Sequence, residues 1–219
     1  GSVYVEGTFD VKSRPWTLAI CDGSTALASG TSKSGPGFIA AGEHFSLTVK
    51  PIIWQSGGSV TGEVNTKSYC NADVTHNFML EDAPAASIVI SSKQKTPIET
   101  ANQSEKLLES TLSLTRSHTE SENSQYTFSG LYWEEVGSLK IKASLSGQYL
   151  DMTVNTGFRN VGRFYAKYFK VREAEWKYPT KQSFIYMNQP FEEVRYDVVA
   201  LNAKKQDIEN YVYFNASLR

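Results

Sequence analysis

The feature that most constrains this chain is a short alternation. From Leu139 to Leu145 the sequence reads LKIKASL, so Leu139, Ile141, Ala143 and Leu145 alternate with Lys140, Lys142 and Ser144. A period of two puts one set of side chains on each face of a half-buried strand. The pattern recurs in Phe45, Leu47 and Val49, in Leu112 and Leu114, in Tyr126 and Phe128, and in Val194, Tyr196, Val198 and Ala200. Between these runs lie turn-rich stretches such as QSGGSVTGE, SLSGQ and VNTG. Many short strands separated by Gly, Ser and Asn turns predict an all-β sandwich, here an immunoglobulin-like one. The single segment with helix formers, PIETANQSEKLLE (97–109), is expected to be a loop with at most one short helix.

A repeated phrase suggests the domain organisation. FIAAGEHF (38–45) and FIYMNQPF (184–191) share Phe-Ile, a Gly or Asn, a Glu or Gln and a final Phe, and an alternating run follows each. No catalytic residue type sits in the shared frame, so the phrase reads as the entry to a core strand. Residues 1–8 read as an expression scar (Gly1-Ser2) and leading segment, and 9–164 as an Ig-like sandwich. Residues 165–219 read as a second, incomplete Ig-like β-module, with room for about four strands where an Ig domain needs about seven. A truncated module would leave an open edge, to be covered by the first module or by a neighbouring molecule.

Charge and motifs narrow the function classes. The formal net charge is -1, which supplies no basic excess for a phosphate backbone, so no nucleic-acid partner is expected. Arg159, Arg163, Lys167, Lys170 and Arg172 alternate with Phe and Tyr, as on a strand edge or a solvated face. No apolar run reaches the roughly 18 residues of a membrane span, so this fragment is not expected to insert directly into a membrane. His44, His76 and His118 form no metal-ligand or zincin spacing, and there is no nucleophile elbow or glycine-rich phosphate loop. The pairs Glu134-Glu135 and Glu192-Glu193 would point to opposite faces of a strand. They read as one solvent-facing and one turn-capping carboxylate rather than as a catalytic pair. Residues 155–172 contain no Asp or Glu to hold a calcium ion at the junction. The expectation is a non-enzymatic chain with no cofactor and no metal. Cys21 and Cys70 are either free buried thiols or one disulfide.

Aromatics are the remaining candidates. Tyr165, Tyr168, Trp176, Tyr178 and Tyr186 gather around the start of the second module. Exposed, they would stack on sugar rings; buried, they serve packing and interfaces. The alternation in RFYAKYFKV favours the second reading, a strand covered on both faces.

The run NVGRFYAKYFKV, then FIYMNQPF, then VVALNAKKQDIENY, resembles the carboxy-terminal region of the MSHA-biogenesis protein MshQ family, associated with a type IV pilus of Gram-negative bacteria. RPWTLAIC, AAGEHFSLTV and LYWEEVGSLKIKA resemble the preceding part of the same proteins. Ala166 stands where that family's pattern has Pro, and residues 91–124 match nothing in it. The resemblance implies an extracellular or outer-surface protein linked to MSHA pilus biogenesis or cell adhesion. It implies minor or major pilins, or host and environmental surface ligands, as partners. That setting suits a Cys21–Cys70 disulfide. It suits a structural or interaction module first, and a carbohydrate- or surface-ligand-binding adhesin module second.

Overall fold

The computed structural model describes residues 3–8, 11, 13–30, 37–98 and 108–214. Eleven strands run through these residues: β1 (Thr17–Asp22), β2 (Phe45–Ile52), β3 (Val64–Asn65), β4 (Ser87–Thr96), β5 (Glu109–Ser110), β6 (Thr115–Ser117), β7 (Tyr126–Tyr132), β8 (Gly137–Leu145), β9 (Gly157–Phe164), β10 (Tyr168–Lys177) and β11 (Glu193–Leu201). Two sheets form the sandwich, one ordered β1-β2-β7-β5 and the other β3-β9-β8-β4-β6, while among the described strands β10 and β11 pair only with each other. The fold is an all-β sandwich with a hairpin arm. Among the described residues no helix is long and apolar enough to cross a membrane.

The alternation read from sequence fills the space between the sheets. Leu18, Ile20, Leu47, Val49, Phe128, Leu139, Ile141 and Val161 are all fully buried in one cluster, closed by Trp133 and Phe164 with ring centroids 5.2 Å apart. Tyr126 reaches the core as well, its hydroxyl donating to the His118 carbonyl at 2.6 Å. Burial, then the neighbouring Tyr149, holds that phenol well above its ordinary pKa.

One flank of the sandwich is stitched shut. The Ile20 amide donates to Thr66 Oγ1 at 3.1 Å, and that hydroxyl donates on to the Phe158 carbonyl at 3.1 Å, joining β1 to the β3–β9 edge. Arg159 crosses the same seam to the Ile20 and Leu27 carbonyls. A disulfide joins Cys21 to Cys70 there, with 5.5 Å between Cα atoms. Other sandwich edges are two- or three-residue strands, too short to template pairing.

Three expectations change. Leu112 and Leu114 lie between β5 and β6 rather than in a strand, and Leu112 is exposed. The Leu112 amide donates to Ser110 Oγ and the Thr115 amide to Ser113 Oγ, so serine side chains take these two amides, while the Leu114 carbonyl still accepts the Ile90 amide at 2.9 Å. The region after residue 164 holds two strands among its described residues, not about four. Those strands are exposed over nearly their whole length instead of covered on both faces. Of the helix-or-loop segment 97–109, residues 99–107 lie outside the described residues.

Candidate interaction surface

The arm is rooted in the first copy of the repeated phrase. In FIAAGEHF, Gly42 takes φ +80° at the third position of the turn 40–43, and the Glu43 amide donates to the Ala40 carbonyl at 3.0 Å. A type II turn requires a left-handed residue at that position. The Ala40 amide in return donates to Glu43 Oε2 at 3.2 Å. This turn receives both ends of the arm: the Ala41 amide donates to the Tyr165 carbonyl, and the Ala203 amide to the Ala41 carbonyl, each at 2.8 Å. Glu43 also ion-pairs with Lys167, and that hydrogen bond is the main cause holding its carboxyl below the ordinary range.

Beyond the arm, the chain returns to the sandwich. Buried Glu135 accepts the Glu209 and Asn210 amides at 3.1 and 2.9 Å, and Asn210 donates to Gln94 Oε1 at 3.1 Å. Glu134, its neighbour, faces solvent and pairs with Lys204 at 2.7 Å. The Glu134-Glu135 pair thus divides into one solvent-facing and one capping carboxylate. Glu192 and Glu193 do not: both are exposed ion-pair partners, of Lys177 and Arg195.

Past its root the hairpin is two-faced. Antiparallel pairing sets Phe169 opposite Ala200, Val171 opposite Val198, Ala174 opposite Tyr196 and Trp176 opposite Val194. Residues directly opposite share a face, so these eight form one apolar face. The other carries Lys170, Glu173, Glu175 and Lys177 against Val199, Asp197, Arg195 and Glu193. Continuity of the two faces depends on a register shift between Val171 and Glu173, where Arg172 is the extra residue of a bulge. The apolar face stands open: Phe169 is 58% exposed, Trp176 57% and Tyr196 61%. At its foot Phe169 meets the ring of Tyr211, and a cleft of about 520 Å³ lies between β11 and residues 207–213.

The second phrase, FIYMNQPF, caps the far end. Asn188 has φ +65°, the Gln189 amide donates to the Tyr186 carbonyl at 2.9 Å, and the Tyr186 amide donates to Gln189 Oε1 at 3.0 Å. The turn is the one at residues 40–43, amide for carboxylate, but here it is exposed and enters no core.

The five aromatics singled out from sequence are all exposed and do not converge. Tyr165 and Tyr168 sit at the root, Trp176 and Tyr178 at the distal end of β10, and Tyr186 in the tip loop. Ten residues of strand separate root from tip by about 30 Å, so they form no single stacking platform. What the sequence reading missed is their company. Of the five only Trp176 lies on the open face, where Phe169 and Val171 join Val194, Tyr196 and Val198 of the alternating run, and Phe184 and Met187 add to the tip. The alternation in the 194–200 run marked that face correctly but not its exposure. Among the described residues no group of His, Cys, Asp and Glu is placed to hold a metal ion.

A family model described as DUF6701, second domain, matches residues 14–128, and one described as DUF6701, third domain, matches residues 135–218. The chain belongs to the DUF6701 family. In this DUF6701 chain the boundary between the two matches does not divide the sandwich: β8 and β9, from the third-domain match, pair with β4 and β3 from the second. No curated protein and no solved structure matches the chain.

Proposed function

We propose that this chain is a non-enzymatic structural and interaction module of a surface-exposed, extracellular protein, and that it docks through the β10–β11 arm. The observation that carries the reading is the amphipathic arm, open on one apolar face and fixed at its root to a stapled sandwich. A two-stranded hairpin is at best marginally stable alone, so an open apolar face of this kind is a surface with a use. A disulfide fits an oxidising compartment outside the cytoplasm. The sandwich is immunoglobulin-like in this reading, and the setting is an MSHA-type pilus or its biogenesis. That setting rests on the resemblance of VGRF and FIYMNQPF alone.

Immobilised chain presented with purified major and minor pilins is expected to retain at least one of them. Phe169→Ser with Trp176→Ser and Tyr196→Ser is expected to abolish the retention. Failure to retain any pilin overturns the pilus setting, and retention undiminished by the triple substitution overturns the arm as the docking surface.

A further inference from the structure

The outer edge of β10 carries a second message. β11 has part of its own outer edge occupied near the root, where Asp207 bridges Leu201 and the Ile208 amide donates to the Ala200 carbonyl at 3.1 Å. No described strand other than β11 pairs with β10. Ten residues of open edge are a ready template for another strand.

The sequence along that edge is complementary to itself. From Phe169 to Trp176 it reads FKVREAEW, basic in its first half and acidic in its second. Laid antiparallel on a second copy about a point between Arg172 and Glu173, Phe169 meets Trp176, Lys170 meets Glu175, Val171 meets Ala174 and Arg172 meets Glu173. In a regular strand this register fails, because it would oppose residues from different faces. The bulge at Arg172 removes the conflict: Phe169, Val171, Ala174 and Trp176 all lie on the apolar face, and Lys170 and Glu175 both lie on the charged one. Lys170, Glu173 and Glu175 make no ion pair with any described residue, while Arg172 is paired with Asp207.

We propose that β10 pairs antiparallel with β10 of a second copy of this chain. The contact is isologous, so each Lys170–Glu175 pair occurs twice. It creates a four-stranded sheet, β11-β10-β10-β11, with the two apolar faces side by side on one surface. This inference rests on the arm being a docking surface and names one partner for its edge.

Sedimentation equilibrium of the full chain tests it. The expected species is a concentration-dependent dimer. Lys170→Glu sets two like-charged pairs across the symmetric contact, as does Glu175→Lys, so each is expected to weaken dimerisation on the order of tenfold or more. The double variant Lys170→Glu/Glu175→Lys restores both pairs and is expected to recover the dimer. Independently, a Val171→Cys chain mixed with an Ala174→Cys chain is expected to cross-link under mild oxidation. A chain that stays monomeric at about 100 µM, or a dimer indifferent to the single swaps, overturns the pairing. So does a double variant no better than the singles, or the absence of the cross-link. A monomer that still retains pilin through the arm leaves the docking reading standing, whereas a dimer that retains no pilin overturns the pilus setting and not this pairing.

Discussion

Strands β8 and β11 carry the same signal and have opposite fates. In β8, Leu139, Ile141 and Ala143 alternate with polar residues and are fully buried between β4 and β9. In β11, Val194, Tyr196 and Val198 alternate as cleanly, and all three are exposed. Alternation therefore fixes which face a strand offers, not whether this chain supplies what covers it. The difference lies in the neighbours: β8 has a strand on each side and a second sheet beneath it, while β11 has β10 and no described element over its apolar face along most of its length.

The sharpest way to break the comparison is to remove a tryptophan from each region. Trp133 is fully buried against Phe164. Trp133→Ala is expected to lower stability by about 3–5 kcal/mol, through lost transfer energy and the cavity left behind. Trp176→Ala, measured in urea at concentrations where the chain is monomeric, is expected to change stability by less than about 0.5 kcal/mol. A loss at Trp176 approaching that at Trp133 would mean the apolar face is packed in solution and the contrast is false.

Next in size is the staple. Cys21 and Cys70 close a loop with a sequence separation of 49 residues. Replacing both by serine is expected to reduce stability by about 2–4 kcal/mol. The arm, which contains no cysteine, should keep its local protection in hydrogen exchange while the sandwich loses some. Equal loss in both regions would show that arm and sandwich open as one unit.

How much of this was legible follows from the range of each interaction. Strand period and turn chemistry act over a few residues, so the core faces of β2, β7 and β8 could be read directly, as could the division of labour between Glu134 and Glu135. The 110–114 stretch misled because Leu112 and Leu114 alternate with Ser and Thr as a strand does, while Ser110 and Ser113 bond their own backbone. The arm was half legible. Trp176 and the 194–200 run were named and Phe169 and Val171 were not, and the exposure of all of them depends on what lies across the face, which neither β10 nor β11 encodes. The bulge at Arg172, which aligns the two faces, leaves no mark in the alternation except a change of phase between Val171 and Ala174.

The smallest expected effect separates the two copies of the repeated phrase. Gly42 and Asn188 hold the same left-handed position in the same turn, so alanine at either should meet the same local backbone strain, about 1 kcal/mol. Space is not the obstacle at Gly42, where an added Cβ would lie 3.4 Å from the Ala203 nitrogen. The turn at 40–43 anchors the arm and begins β2, so Gly42→Ala should appear in full in the global unfolding free energy. Asn188 lies at the tip of an arm that can open without the sandwich. Asn188→Ala should leave global stability unchanged within about 0.3 kcal/mol, and instead speed exchange of the Gln189 amide about fivefold, the factor matching that strain. Equal global losses from the two substitutions would make the tip part of the cooperative core. An unchanged Gln189 exchange rate would mean that the hydrogen bond to the Tyr186 carbonyl does not depend on the left-handed residue at 188.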